Sequence, residues 1–280
     1  MIWRHRRGSF DLSRRGVVMA ALNVTPDSFS DGGRYFRLDS AERRAVWLET
    51  QGADILDVGG ESTRPGAEDV SEGEELRRVI PVIEAVRARS RIVISVDTRK
   101  AVVAREALRA GADVINDISA LRADVEISRV AAESGAGVVL MHMRGTPATM
   151  QAQPVYEDAV AEVREFLRQR LEDAIKNGMD PCTLAIDPGI GFGKLPHHNR
   201  ALVLGLPGLV ALGHPVVLGV SHKSFLGWLA EAPTIAERFW PGVALTALGR
   251  RLGARVFRVH EPAAHAHALR ATESLLDGHD

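Results

Sequence analysis

The chain has 280 residues, of which 45% are hydrophobic and 25% charged, and this length is enough to bury one large core. A formal net charge of −1 at pH 7 removes the long-range attraction that a nucleic-acid or anionic-membrane binder needs, so neither partner is expected. The single cysteine, Cys182, cannot form an internal disulfide, and no apolar run approaches membrane-spanning length. These features predict a soluble cytoplasmic protein.

The chain begins with a basic segment, residues 1–16, which we predict to be a short hairpin or arm at the bottom of one domain, residues 17–280. Further along, six glycines each stand between a helical pattern and a short β-rich run: Gly52, Gly111, Gly135, Gly178, Gly213 and Gly253. A left-handed helix terminus favours a residue without Cβ, so helix, glycine and strand recur in that order. Ser71 with Glu74 predicts a capped helix start, and apolar residues at helical spacing predict a helix from Tyr156 to Lys176.

Eight short apolar runs are predicted as strands. They are Val17–Val24, Asp54–Val58, Ile92–Asp97, Asp113–Asp117, Gly137–His142, Leu184–Asp187, Val216–Val220 and Val256–His260. The runs are nearly continuous rather than alternating, which is typical of parallel strands covered on both faces. Eight such strands alternating with helices over about 250 residues predict an α/β protein of the (β/α)8 TIM barrel class. An open doubly wound sheet is the alternative, because alternation alone does not show closure.

Every predicted strand ends in polar residues. The ends carry Asn23, Asp57 with Glu61, Asp97, Asn116, His142, Asp187, Ser221 to Ser224, and Arg258 with His260. In TIM barrels the active site is assembled at the carboxyl ends of the strands. One polar end would indicate only an ordinary solvated loop, but eight together indicate a functional site.

These strand-end residues fall into two chemical groups. Asp97, Asn116, Asp187 and Lys223 lie among apolar runs and suit a flat nitrogenous ring that carries hydrogen-bond donors. A second group offers hydroxyl and cationic donors, which suit an anion such as phosphate. That group comprises Ser62, Thr63, Arg64, Arg258 and His260. Asn23 adds a neutral oxygen of the kind that Mg2+ takes when it shares a phosphate and several waters.

Eight motifs resemble, in order and over nearly the whole chain, those of the dihydropteroate synthases of folate biosynthesis. They are NVTPDSFSDGG (23–33), DVGGESTRPGA (57–67), VDT (96–98), NDIS (116–119), MHM (141–143), DPGIGFGK (187–194), SHKSFLG (221–227) and RVHE (258–261). The first two are long and specific. The resemblance implies a pterin-binding TIM-barrel transferase, usually a homodimer. Such an enzyme joins 6-hydroxymethyl-7,8-dihydropterin diphosphate to p-aminobenzoate and releases diphosphate with Mg2+.

Carried over by position, the resemblance assigns residues to three subsites. The pterin subsite comprises Asp97, Asn116, Asp187 and Lys223, with Ile118 and Met141 as apolar walls. The diphosphate subsite comprises Asn23, Thr63, Arg64, Arg258 and His260, with Asn23 also contacting the metal. The aminobenzoate subsite, where sulfonamides compete, comprises Phe29, Asp31, Pro65, Phe192 and Ser224. Ser224 opens a predicted helix, whose N-terminus favours the carboxylate of the substrate.

The catalytic roles fall to Asp97, Asp187, Lys223, Arg258 and His260. Covalent catalysis is not expected, because the strand ends offer no nucleophile paired with a base and Cys182 precedes its strand. The residues instead favour an SN1-like departure of diphosphate. Asp97 and Asp187 would stabilise the resulting pterin cation, and the aryl amine would then attack.

The match departs at position 222, where the family usually has arginine and this chain has His222. The resemblance places that side chain flat against the pterin. A histidine can also stack, but it ordinarily loses its charge above a pKa near 6.5. We therefore predict weaker pterin binding that declines as the pH rises.

Two other functions stay open from the sequence. A pterin-dependent corrinoid methyltransferase shares the pterin subsite but does not need the SFSDGG and STRPG loops. A non-catalytic pterin-binding paralogue is supported only by His222.

Several remaining signals have structural explanations. GIGFGK at 189–194 predicts a tight turn rather than a P-loop, and Glu61 is expected to tie down its own loop. His142 either lines the pocket or closes the top of the barrel. The other histidines considered are predicted to be solvated rather than metal ligands: His197, His198, His265 and His267.

Overall fold

The computed structural model describes residues 1–25, 34–63, 66–67, 69–152 and 154–276. The strands are β1 Ile2–His5, β2 Gly8–Asp11, β3 Val17–Asn23, β4 Ile55–Gly59, β5 Val93–Asp97, β6 Val114–Asp117, β7 Gly137–Met141, β8 Leu184–Asp187, β9 Val217–Gly219 and β10 Val256–Val259. The helices are α1 Arg34–Thr50, α2 Glu72–Arg89, α3 Ala101–Ala110, α4 Glu126–Ser134, α5 Ala159–Lys176, α6 Pro196–Leu204, α7 Leu206–Val210, α8 Ser224–Ala230, α9 Phe239–Arg251 and α10 Pro262–Leu276.

The eight strands β3 to β10 form one parallel sheet in the order β8-β7-β6-β5-β4-β3-β10-β9. A parallel bridge between Ile186 and Val216 joins the two ends of this order and closes the sheet. Closure, with helices following the strands, confirms the (β/α)8 barrel and rules out the open doubly wound sheet. Each observed strand agrees with the predicted one to within one residue at either end.

The lower part of the barrel interior is apolar. One buried cluster takes side chains from all eight barrel strands: Val17, Met19, Ile55, Val93, Val114, Val139, Ala185, Val217 and Val256. The antiparallel hairpin of β1 and β2 covers this cluster with Trp3 and Leu12, both fully buried. Trp3 Nε1 also donates to the Thr183 carbonyl oxygen at 2.9 Å. The hairpin therefore closes the end of the barrel at which the strands begin.

Successive side chains of a strand point to opposite faces, so the residue two positions further along returns to the interior. In several strands an apolar interior side chain is followed at this spacing by a polar one. Ile55 is followed by Asp57, Val114 by Asn116 and Ala185 by Asp187. Strand pairing then sets Gly59, Asp97 and Asn116 side by side at one level of the barrel. A polar layer thus lies directly above the apolar one.

Helices end at or just before the predicted glycines. All six glycines expected after helices have positive φ. Ser71 accepts a hydrogen bond from Glu74 N, which caps α2. Helix α5 begins at Ala159 rather than Tyr156, because the Asp158 side chain accepts from Val160 N and Ala161 N and fixes the start there. None of the helices in the described residues is both long and apolar enough to cross a membrane.

Candidate active site

A cleft of about 870 Å³ opens at the carboxyl ends of the barrel strands. Thirteen of the predicted site residues line it together: Asn23, Thr63, Asp97, Asn116, Ile118, Met141, Asp187, Phe192, His222, Lys223, Ser224, Arg258 and His260. Four more predicted site residues lie outside the residues that the structure describes: Phe29, Asp31, Arg64 and Pro65. The strand ends therefore converge on one concave site.

Arg258 lies at the centre of the polar contacts. Its Nε donates to Asp57 Oδ2 at 2.7 Å, and its Nη2 donates to Asp97 Oδ2 at 2.9 Å. Asn116 Nδ2 donates to the same Asp57 oxygen at 3.0 Å. The predicted anion ligand Arg258 is therefore in direct contact with the predicted ring ligand Asp97. Asp57 was predicted as a polar strand end but was assigned to none of the three subsites, although a carboxylate within an otherwise apolar strand was a signal for such a role.

Burial shifts the pKa values of several groups in the cleft toward neutrality. Desolvation raises the pKa of Asp97 to about 7, although Arg258 opposes the shift. Desolvation lowers the pKa of Lys223 to about 8, and the charge of Arg258 acts in the same direction. Burial also raises the pKa of Asp187, against a hydrogen bond of 2.6 Å from Gly189 N. Shifted groups of this kind are typical of active sites.

Arg258 stays charged in this setting. Burial lowers its pKa, but the carboxylates of Asp57 and Asp97 outweigh that effect and hold the pKa above the ordinary arginine value. The guanidinium is therefore a permanent positive charge that faces the cleft.

An apolar wall completes the ring-binding side. It consists of five buried side chains that pack together: Ile118, Met141, Met143, Met150 and Phe192. Lys223 Nζ lies 4.2 Å from the centroid of the Phe192 ring, a cation–π distance. Met143 and Met150 were not predicted, because they fall between β7 and α5 in a stretch without helix or strand periodicity.

After β9 and β10 four polar side chains adjoin one another. His260 Nδ1 is 3.0 Å from Ser221 Oγ. The His222 ring stacks on His260, with centroids 4.6 Å apart and planes inclined by 8°, and its Nε2 lies 3.2 Å from Glu261 Oε2. His222 has a φ of 61°, in the left-handed region. It therefore contacts the predicted diphosphate ligand His260, which the sequence did not indicate.

His142 lies behind the cleft wall. Its Nδ1 is 2.9 Å from Lys194 Nζ, and that ammonium also donates to the carbonyl oxygens of Gly189 and Phe192, both at 2.9 Å. Burial lowers the pKa of His142 to about 2, so the ring is neutral and can accept from Lys194. Of the two predicted roles, this contact supports a structural one.

The turn after β8 requires its first glycine. Gly189 has a φ of +65°, and a Cβ at this position would lie 1.9 Å from the His142 carbonyl oxygen. The predicted tight turn is therefore observed. Lys194, which holds the turn, was missed as a contributor to the site, although its place at the end of GIGFGK was visible.

Glu61 ties down its loop as predicted. It accepts from Arg99 Nη2 at 3.0 Å and from Lys100 Nζ at 2.5 Å. Both cations lie between β5 and α3, so the contacts join the loop after β4 to the next βα unit.

The prediction of solvated histidines is wrong for two of the four. His198 is buried on α6 and accepts from Leu195 N at 3.2 Å, and His265 is buried on α10 with its Nδ1 2.7 Å from Thr246 Oγ1. Both side chains face the inner side of their helix, and the sequence had not shown which side that is. His197 and His267 are exposed as predicted. Among the described residues no group of three or more His, Cys, Asp or Glu side chains could hold a metal.

Comparison with known proteins shows the family of this chain. The family model of pterin binding enzymes matches residues 19–260. A dihydropteroate synthase of Synechocystis sp. is 45% identical over 266 residues, which cover 95% of this chain and 92% of that protein. This chain belongs to the dihydropteroate synthase family. The family predicted from the sequence motifs is confirmed, as is the enzyme class, a transferase.

Solved structures of the dihydropteroate synthase family share the whole barrel. The Yersinia pestis enzyme, in a sulfonamide drug complex, has a TM-score of 0.92 and 41% identity, with 99% of this chain and 100% of that chain covered. The Xanthomonas albilineans enzyme in complex with 7,8-dihydropteroate has a TM-score of 0.86 and 41% identity, with 96% of each chain covered. Both confirm the TIM barrel fold.

Proposed function

We propose that this protein condenses 6-hydroxymethyl-7,8-dihydropterin diphosphate with p-aminobenzoate to give 7,8-dihydropteroate and diphosphate, a step of folate biosynthesis. The observation that carries the proposal is the 2.9 Å hydrogen bond from Arg258 Nη2 to Asp97 Oδ2 in the cleft. This contact places a carboxylate that can accept from a nitrogenous ring beside a cation that can bind a diphosphate. Relatives that are named dihydropteroate synthase match this chain over nearly their full length.

The reaction proceeds by SN1-like departure of diphosphate. The bond between the methylene carbon and the diphosphate oxygen breaks first, and its electron pair leaves with the diphosphate. Asp97 and Asp187, only 7% and 5% exposed, stabilise the pterin cation, while Arg258 and His260 neutralise the leaving group. The aryl amine then forms the new C–N bond and loses a proton.

Without p-aminobenzoate, an 18O label in the bridging position of the substrate is expected to scramble into non-bridging positions. No scrambling would favour direct displacement.

The residues of the cleft fit a Mg2+ ion that is held mainly by the substrate. Asn23 offers one neutral amide oxygen, and Mg2+ commonly keeps several waters and binds phosphate with one or two protein ligands. Asn23 and the diphosphate would together hold the ion, with Thr63 as a further hydroxyl nearby. When bound, Mg2+ supplies charge neutralisation of the leaving diphosphate.

Within the described residues, Phe192 and Ser224 form the aminobenzoate subsite. Phe29, Asp31 and Pro65, outside the described residues, complete the predicted set. Phe192 supplies an aromatic face beside Lys223, and Ser224 lies exposed at the start of α8 on the cleft rim. His222 belongs to the same rim. This arrangement supports attack by the amine from the open side of the cleft.

We also propose a homodimer that acts in the cytoplasm. Four large apolar side chains are exposed within a short stretch of α8, α9 and their connection: Trp228, Leu229, Ile235 and Trp240. Exposed apolar surface of this kind favours association. Equilibrium sedimentation is expected to give twice the chain mass at micromolar concentration, and a monomer at all concentrations would contradict it.

The test of the proposed function is diphosphate release by the purified protein, with each of the three components omitted in turn. Release that requires dihydropterin diphosphate, p-aminobenzoate and Mg2+ together is the expected result. Binding of dihydropterin diphosphate without release would point to a non-catalytic paralogue. Methyl transfer to a corrinoid protein from a methylated pterin, without diphosphate release, would point to the methyltransferase.

A further inference from the structure

Asp57 is fully buried on β4, beneath the residues that line the cleft. A single oxygen of this carboxylate, Oδ2, accepts both from Arg258 Nε on β10 and from Asn116 Nδ2 on β6. Its other oxygen, Oδ1, has no hydrogen-bond partner among the described residues. One buried atom therefore joins a residue of the proposed anion subsite to a residue of the proposed ring subsite.

The contact with Asp57 fixes which end of the Asn116 amide faces away from it. An ionised carboxylate can only accept hydrogen bonds, so the Asn116 Nδ2 must face Asp57. The Asn116 Oδ1 then faces away from Asp57 and can accept a hydrogen bond from another group. Asp97 and Asp187 are acceptors as well, so this wall of the cleft suits a ring edge that carries N–H donors.

The same carboxylate holds the guanidinium of Arg258. Asp57 takes the Nε–H at 2.7 Å and Asp97 takes an Nη2–H at 2.9 Å, so two carboxylates from two strands fix the guanidinium plane. A guanidinium has five N–H donors, and this arrangement directs those that remain. The position of Arg258 for an anion thus depends on a residue outside the cleft.

We propose that Asp57 is a positioning residue that orients Arg258 for the diphosphate and Asn116 for the pterin ring. This inference rests on the proposed function and adds to it a residue that binds neither substrate. Asp57 carries a negative charge and could act through that charge alone or by positioning its partners. The two hypotheses predict opposite effects on anion binding when Asp57 is removed. Electrostatics alone would strengthen anion binding, whereas loss of positioning weakens it.

The test compares Asp57→Asn with Asp113→Asn. Asp113 is the matched control, because it is also fully buried and ion-paired, with Arg7 and Arg87, but lies just before β6 at the opposite end of the barrel. Calorimetry with inorganic pyrophosphate and with 6-hydroxymethyl-7,8-dihydropterin gives a dissociation constant for each ligand. Asp57→Asn is expected to weaken both by about tenfold. Asp113→Asn is expected to leave both within about twofold of the wild type.

Three results would contradict the inference. Unchanged or tighter pyrophosphate binding in Asp57→Asn would show that Asp57 acts only through its charge. Equal losses in the two variants would show a general effect on folding. Wild-type protein that binds neither ligand would overturn the proposed function, and the inference with it, whereas the first two results leave the proposed function intact.

A measurement on the wild type covers the case in which Asp57→Asn does not fold. The Nε–H resonance of Arg258, assigned by its loss in Arg258→Lys, is expected to exchange slowly with water both without ligand and with pyrophosphate. Fast exchange in the ligand-free protein would show that Asp57 does not hold the guanidinium, which would overturn the inference.

Discussion

At Asp97, burial and ion pairing shift the pKa in opposite directions. Burial is the larger effect and raises the pKa to about 7, while Arg258 lowers it. Lys223, across the same cleft, has its pKa lowered to about 8 by burial. Asp97, which the proposed mechanism needs as a carboxylate, and Lys223, a residue of the same subsite, therefore titrate close to the working pH.

These two pKa values predict a bell-shaped pH dependence. Below about pH 7 the Asp97 carboxylate is protonated and cannot stabilise a cation, and above about pH 8 Lys223 loses its charge. The kcat/KM for dihydropterin diphosphate is expected to peak between these values. In Lys223→Arg the alkaline limb is expected to disappear while the acid limb remains. A profile without an acid limb between pH 6 and 8 would show that Asp97 is not needed as a carboxylate.

His222 gives a second prediction at the scale of one residue. In His222→Arg a guanidinium that is charged at every working pH takes the place of the imidazole beside Glu261 and His260. The KM for dihydropterin diphosphate is expected to be several-fold lower in His222→Arg than in the wild type across pH 6 to 8. His267→Arg, at an exposed site on α10, is the control. Identical KM profiles for wild type and His222→Arg would contradict the prediction.

At the scale of an element, the turn after β8 depends on the Lys194 side-chain amino group, whose pKa is lowered by burial to about 7. Lys194→Met leaves the Phe192 carbonyl oxygen without this donor, whereas the Gly189 carbonyl oxygen still accepts from Phe192 N at 3.0 Å. A buried unsatisfied polar group costs about 1 to 3 kcal/mol. Because this turn connects Asp187 to Phe192, the KM for dihydropterin diphosphate is expected to rise about tenfold.

Lys176→Met, at the exposed end of α5, is the matched control for Lys194→Met and is expected to change neither the KM nor the melting temperature. Kinetics and thermal denaturation of the two variants check both expectations. A Lys194→Met variant with wild-type KM would show that the turn holds its shape without the amino group.

The elements also show what the sequence could determine. Strand positions were predictable because every apolar run has a polar end and most of the runs follow a glycine. The subsite residues were predictable because the strand ends meet at one edge. Asp57 and Lys194 were missed because their importance depends on contacts across the barrel, with Arg258 and with His142. His198 and His265 were misassigned because a single polar residue on a helix does not reveal which side faces the core.

At the scale of the whole molecule, stability and chemistry lie at opposite ends of the barrel. The hairpin of β1 and β2 closes the lower end with Trp3, while the cleft occupies the upper end. Trp3→Ala removes a fully buried side chain and is expected to lower the free energy of unfolding by about 3 to 5 kcal/mol.

The control for Trp3→Ala is Ile2→Ala, on the same strand but 46% exposed, which is expected to cost roughly 0.5 kcal/mol or less. Denaturant unfolding gives both values. At a temperature where both variants are folded, the KM for each substrate is expected to match the wild type. A large change of KM in Trp3→Ala would contradict this separation of the two ends.

The most direct measurement is the identification, by mass spectrometry, of the product formed from dihydropterin diphosphate, p-aminobenzoate and Mg2+. We expect 7,8-dihydropteroate in many turnovers per active site, and a loss of product in the Asp97→Asn protein that is much larger than its loss of pyrophosphate binding. Pterin diphosphate that binds the wild-type protein but is recovered unchanged would contradict the claim that this cleft joins the two substrates.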